Sequence, residues 1–172
     1  MQNSNPLFRR CGSLREVMSR EKGEERSLAW ADWLDSYYLG ADEKRRAMLD
    51  ERPELEGSVW DALLGASIEY LAHLARLEPP DWCYEAERRW GAFYWGGHTL
   101  PAMKKLMFLE SPAEFRSRNL FVGRGFIKRA KMPEQWRAKP PKWQREWMES
   151  REKASVLAAA RMPIGCGHNF KL

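Results

Sequence analysis

An all-α, compact multi-helix bundle is the fold class this sequence predicts, carrying a basic, Pro- and Trp-rich C-terminal extension. Three observations predict it. Apolar residues recur at three- and four-residue spacing in several successive runs, as one face of a helix requires. The only extended-looking run is "NLFV", residues 119–122, which is too short to make a sheet alone. After Lys131 the composition shifts: Pro133, Pro140, Pro141 and Pro163 interrupt a stretch rich in Lys, Arg and Trp.

The first helix is announced by Ser13 with Glu16 three residues on, the pattern of a reciprocal capping box, ahead of Val17 and Met18. In "SLAWADWLDSYYLG" a broad apolar face holds Leu28, Ala31 and Leu34 with Trp30, Trp33, Tyr37 and Tyr38, and Gly40 fits the C-cap. Asp42 is placed to cap a short helix that stops before Pro53. "SVWDALLGASIEYLAHLARL" is the clearest helix, with Trp60, Leu63, Leu64, Ile68, Leu71, Ala72 and Ala75 in register, and Pro79-Pro80 end it. Residues 83–98 read as a short helix running into an aromatic, Gly-rich loop. Thr99 and Pro101 then start another helix, with Met103, Leu106, Met107 and Leu109 on one side.

Ser111, Pro112 and Glu114 form the last strong helix start. The Ser hydroxyl would accept a first-turn N–H, Pro112 would fill the first helical position, and Glu114 would reciprocate the cap. The two glycines of "GRGF" mark a turn. They are not a phosphate loop, because the Gly-x-x-x-x-Gly-Lys-Ser/Thr pattern is absent. The expected organisation is a helical core over residues 1–131. An extension over 132–172 follows, with one helix at about 141–161 that begins at Pro141 and a frayed tail.

Length and charge narrow the function. At 172 residues the chain can bury a core without disulfides or metals, and nine Trp, seven Phe and five Tyr supply it generously. Three cysteines, odd in number and far apart, argue against a disulfide framework, and no apolar run reaches 18 residues. The N-terminus lacks an apolar signal core, so a cytoplasmic protein is expected. Residues 1–113 carry 15 basic and 19 acidic side chains, whereas residues 114–172 carry 14 and 5. Arg116, Arg118, Arg124, Lys128, Arg129 and Lys131 fall within 16 residues, more cations than a cap and a turn require. That balance suits a polyanion or an acidic partner as well as it suits a solvated basic face.

Three passages carry a resemblance: "LDSYYLGADEKRRAMLDERPEL", "WDALLGASIEYLAHLARLEPPDW" and "AMKKLMFLESPAEFRSRNLFVGRGFIKRA". Over about residues 28–130 the chain resembles a bacterial family of small antitoxin-like proteins. Their Ser-Pro-x-x-Phe-x-x-Arg-Asn-hydrophobic segment closes on Arg-Ala, and many are encoded beside nucleotidyltransferase-like toxin genes. The resemblance implies a non-catalytic protein that restrains a co-encoded toxin. The chain departs from many of these relatives in showing no recognisable N-terminal helix-turn-helix, which weakens the expectation of autoregulation through DNA.

Catalytic and metal patterns are not written into the chain. Its three histidines include His73, on the most apolar helix, and His98, in a loop. Cys166 and His168 would supply only two metal ligands. There is no CxxC, HExxH or Gly-x-Ser-x-Gly, and the carboxylates stand beside Lys and Arg as on solvated helix faces. Neither an enzyme nor a cofactor is expected. A partner contact would draw on Arg116, Arg118, Arg124 and Lys128, with the first two projecting outward from their capped helix and Trp143 and Trp147 as buried anchors. The aromatic loop of Trp90, Phe93, Tyr94 and Trp95 admits two roles: closing the end of the bundle, or stacking on bases or partner side chains. The alternative function is nucleic-acid binding through that loop and the basic C-terminal third.

Overall fold

The computed structural model describes residues 11–96 and 100–137, with the side chain of Arg124 excepted. These residues all belong to one compact unit that ends at Arg137. Among them are six α-helices: α1 (Leu14–Ser19), α2 (Glu24–Leu39), α3 (Asp42–Asp50), α4 (Val59–Leu74), α5 (Pro101–Glu110) and α6 (Ala113–Arg116). No sheet occurs among the described residues. "NLFV" contributes a single parallel bridge, Tyr94 to Leu120, rather than a strand. The all-α reading therefore holds. The proposed helix at 141–161 and the tail beyond it lie outside the described residues.

The core is organised by α2 and α4. Trp30, Trp33 and Tyr37 repeat at three and four residues along α2, so their rings pile on one another. Trp30 stacks on Trp33 at 5.1 Å and Trp33 on Tyr37 at 5.5 Å. Leu28, expected on this face, is instead 61% exposed, because the buried stripe runs through Ala29, Trp30, Trp33, Leu34, Tyr37 and Tyr38. α4 is buried on nearly all sides, and Ser58 with Asp61 makes a complete capping box at its start. It ends where Arg76 turns into the left-handed region, two residues ahead of Glu78 and the Pro-Pro pair.

Several caps differ from expectation. At α1, Ser13 accepts the Glu16 N–H, but Glu16 itself pairs with Arg20. Glu51, from beyond α3, supplies the second half of the cap by accepting from the Leu14 N–H at 2.9 Å and the Ser13 hydroxyl at 2.6 Å. Asp42 is the first residue of α3 rather than its cap; it pairs with Arg45, whose guanidinium also reaches the last carbonyls of α2 at Tyr37 and Tyr38. Gly40 caps α2 as expected.

Residues 81–88 form two 3₁₀ turns, Asp81–Tyr84 and Ala86–Arg88, in place of the expected short helix. Their close approach to α4 depends on Gly65, where a Cβ would stand 3.3 Å from Arg88 Cβ and 3.4 Å from the Cys83 carbonyl. Met132 and Trp136, beyond the compositional boundary at 131, pack on the core, with Trp136 against Tyr37 and Tyr38.

Candidate interaction surface

The opening of α6 is built differently from the cap that Ser111 and Glu114 suggest. Pro112 occupies the N-cap position without a side-chain cap, and Ser111 ends α5. The Ser111 hydroxyl is buried, donating to the Leu120 carbonyl at 3.1 Å and accepting from the Val122 N–H at 3.4 Å. Glu114 turns away to His73, whose Nδ1 lies 2.8 Å from its carboxylate. His73 is thus an edge residue with a partner, and Ser111 is a staple for the segment that follows.

α6 is a single turn, and this decides where the arginines go. Arg116 faces solvent at the end of that turn. Arg118 lies past it, where the chain folds back on α4, and is buried. Its guanidinium pairs with Glu69 at 2.5 Å and donates to the carbonyls of Glu114 and Cys83 at 2.7 Å each. The expectation that Arg118 projects outward is corrected: the helix is too short to carry it to an exposed face. Arg129 is held by both oxygens of Asp35. Lys128 is exposed. The backbone of Arg124 opens a 3₁₀ turn, Arg124–Phe126, and its side chain lies outside the described structure. Trp143 and Trp147 lie outside the described residues, as do His98, Cys166 and His168. The dense cationic run thus includes two internal links, and Arg116 and Lys128 are the expected contacts it leaves at the surface.

The aromatic loop is divided between the core and the surface. Trp90 and Tyr94 pack partly on the core, tied in by the Trp90 carbonyl accepting from the Asn119 amide at 2.9 Å and by the Tyr94–Leu120 bridge. Phe93 points out, 67% exposed, and Trp95 lies beside it with ring centroids 6.3 Å apart. Trp95 stacks on Phe121 at 4.5 Å, and Phe121 in turn stacks on Phe108 of α5 at 5.5 Å. A continuous row of four rings results, of which Phe121 is the buried member.

α5 completes this surface, and the sequence did not indicate its orientation. Met107 is its one buried side chain, set against Gly96 at a contact where a Cβ would come within 3.1 Å of the Met107 methyl. Gly96 also has φ +54°, which glycine adopts without steric cost. Leu109 is 77% exposed and Phe108 53%, with Leu100 and Leu106 also open to solvent. Trp95, Lys104, Lys105, Phe108 and Leu109 line a depression of about 370 Å³ on this face. The Lys104 ammonium lies 5.7 Å from the Trp95 ring centroid, within range of a cation–π contact.

Other sites offer less chemistry. Burial pushes the Cys11 thiol up to about 11 and the Cys83 thiol up to about 12, which keeps both protonated and weakly nucleophilic. Among the described residues no group of three His, Cys, Asp or Glu side chains is arranged to hold a metal ion. None of their helices is long and apolar enough to cross a membrane. No protein-family model, curated protein or solved structure matches this chain.

Proposed function

We propose that this chain is a binding protein that acts by covering part of another protein, with α5 and the outer aromatic loop as the contact. The observation that carries the reading is the exposure of Phe93, Phe108 and Leu109, joined through Trp95 and Phe121 around a shallow apolar depression. Contiguous apolar surface of this kind marks interaction sites, whereas single exposed apolar residues need no explanation. Fully burying a Leu or Phe side chain is worth roughly 1.5–3 kcal/mol. Covering the 77% of Leu109 that faces solvent therefore contributes about 1–2 kcal/mol by itself.

The resemblance over residues 28–130 supports a co-encoded, nucleotidyltransferase-like toxin as the partner, met in the cytoplasm and neutralised by steric occlusion. Arg116 and Lys128 would then steer encounter with an acidic partner rather than anchor it. The test co-expresses the chain with its neighbouring gene product and compares wild type with Leu109→Asp in pull-down and growth rescue. Loss of both activities in a folded variant is the expected result. Full rescue and undiminished pull-down would remove α5 as the contact.

A second reading, nucleic-acid binding, is supported by the row of rings with Lys104 at its edge. Salt separates the two. Phosphate-driven binding falls steeply with the logarithm of salt concentration, and an apolar interface does not.

A further inference from the structure

We infer that the α5 face is built for an amphipathic partner helix whose apolar stripe is flanked by carboxylates; the inference rests on the protein-binding reading above. Lys104 and Phe108 stand four residues apart, as do Lys105 and Leu109, so these four side chains form two adjacent rows along one side of α5. Such rows accept the ridge of a second helix, and an apolar side chain from that ridge fits the depression between Trp95, Phe108 and Leu109. α5 is ten residues long, about 15 Å, and so matches a partner segment of roughly three turns.

Charge fixes what flanks the stripe. Lys104 and Lys105 are the polar members of the lining, both basic, and they sit at the middle of the helix rather than at an end. A partner that covers Phe108 and Leu109 brings its own flanks beside these ammonium groups. Carboxylates there are attracted, and cations are repelled. The same placement argues against a second copy of this chain as occupant. Twofold pairing of α5 with α5 would gather four ammonium groups into the middle of the seam. Exposed Phe108 and Leu109 suit apolar side chains better than they suit the polar backbone of a nucleic acid.

The test uses the full chain and two synthetic helical peptides of roughly three turns. Both carry Leu at three- and four-residue spacing, one with Glu flanks and the other with Lys flanks. Fluorescence anisotropy should show the Glu-flanked peptide binding at least tenfold more tightly. The double variant Lys104→Glu with Lys105→Glu should invert that preference, and Leu109→Asp should weaken both peptides by more than tenfold. A merely sticky surface would bind both peptides alike and leave the preference unmoved by charge reversal, which overturns the inference. Preferential binding of a single-stranded oligonucleotide, or a dimer by sedimentation that Leu109→Asp dissolves, would also overturn it. The two levels separate cleanly. If neither peptide binds, yet pull-down of the neighbouring gene product still depends on Leu109, the carboxylate-flanked helix is wrong while the contact surface stands. If pull-down is also indifferent to Leu109, both fall.

Discussion

Truncating Arg118 should unfold this protein far more readily than any other change in the basic segment. In Arg118→Ala the Glu69 carboxylate, 13% exposed, loses its cation, the Cys83 carbonyl loses its donor, and the Glu114 carbonyl is left with the Ser117 hydroxyl alone. Removing one partner of a buried pair costs about 3–5 kcal/mol, because the other charge stays buried without compensation. The orphaned Cys83 carbonyl acts in the same direction, and the loss is not offset by any gain in packing. Urea unfolding reads the effect directly. With an m-value of about 2 kcal/mol/M, the midpoint should fall by roughly 1.5–2.5 M at unchanged slope. Arg116→Ala, on the exposed end of the same turn, should stay within about 0.5 kcal/mol. A cycle with Glu69→Ala isolates the pair: the double variant should be less destabilised than the sum of the singles by about 1.5–3 kcal/mol. A cost below about 1 kcal/mol for Arg118→Ala would refute the claim that this arginine ties α6 to α4 and the 3₁₀ segment.

Three further changes probe the scaffold. Ser111→Ala removes two buried hydrogen bonds, to Leu120 and Val122, and should cost about 1–3 kcal/mol in thermal or urea unfolding. Gly65→Ala should destabilise, rather than gain the roughly 1 kcal/mol expected on removing a helical glycine. Its Cβ meets Arg88, which is pinned by the Pro53 carbonyl at 2.6 Å and the Trp82 ring at 4.5 Å; a raised melting temperature would contradict the packing. Hydrogen bonds from Arg26 hold the Glu56 carboxyl below its ordinary value, with the Arg26 and Lys22 charges adding to the effect. Its contribution is therefore complete at neutral pH and is lost as pH falls below the ordinary carboxylate range through the depressed folded value. Glu56→Gln should flatten that acid limb of the stability profile, and an unchanged limb would exclude Glu56 as a source of it.

Much of this architecture was legible because local rules and tertiary packing agree along α2 and α4. Leu63, Leu64, Ile68 and Leu71 recur at helical spacing and are buried, and Gly40 ends α2 where its type suggests. Legibility failed wherever a long-range partner decided the outcome. Arg26 reads as one more surface cation, yet it is buried, chelating Glu56 and donating to the carbonyls of Met18 and Arg20. Glu51 caps a helix that begins 37 residues before it. Ser111, Pro112 and Glu114 satisfy every local rule for a helix start, but the Leu120 carbonyl and His73 claim the two side chains. α5 shows a subtler limit. Spacing identified Met103, Leu106, Met107 and Leu109 as one side, and periodicity cannot say whether a side is covered. Met107 docks on Gly96, whereas Leu109 stays open although Trp95 stands on the same depression.

The most direct test of the account is hydroxyl-radical footprinting of the chain, alone and with its neighbouring gene product. Phe93, Phe108 and Leu109 are exposed on the proposed contact, while Leu28 and Leu39, 61% and 56% exposed on α2, provide internal references. The account predicts that oxidation at Phe93, Phe108 and Leu109 falls severalfold in the mixture and that Leu28 and Leu39 do not change. Protection of the α2 leucines with Phe108 and Leu109 still fully reactive would contradict it, and would move the interaction surface to another face of the bundle.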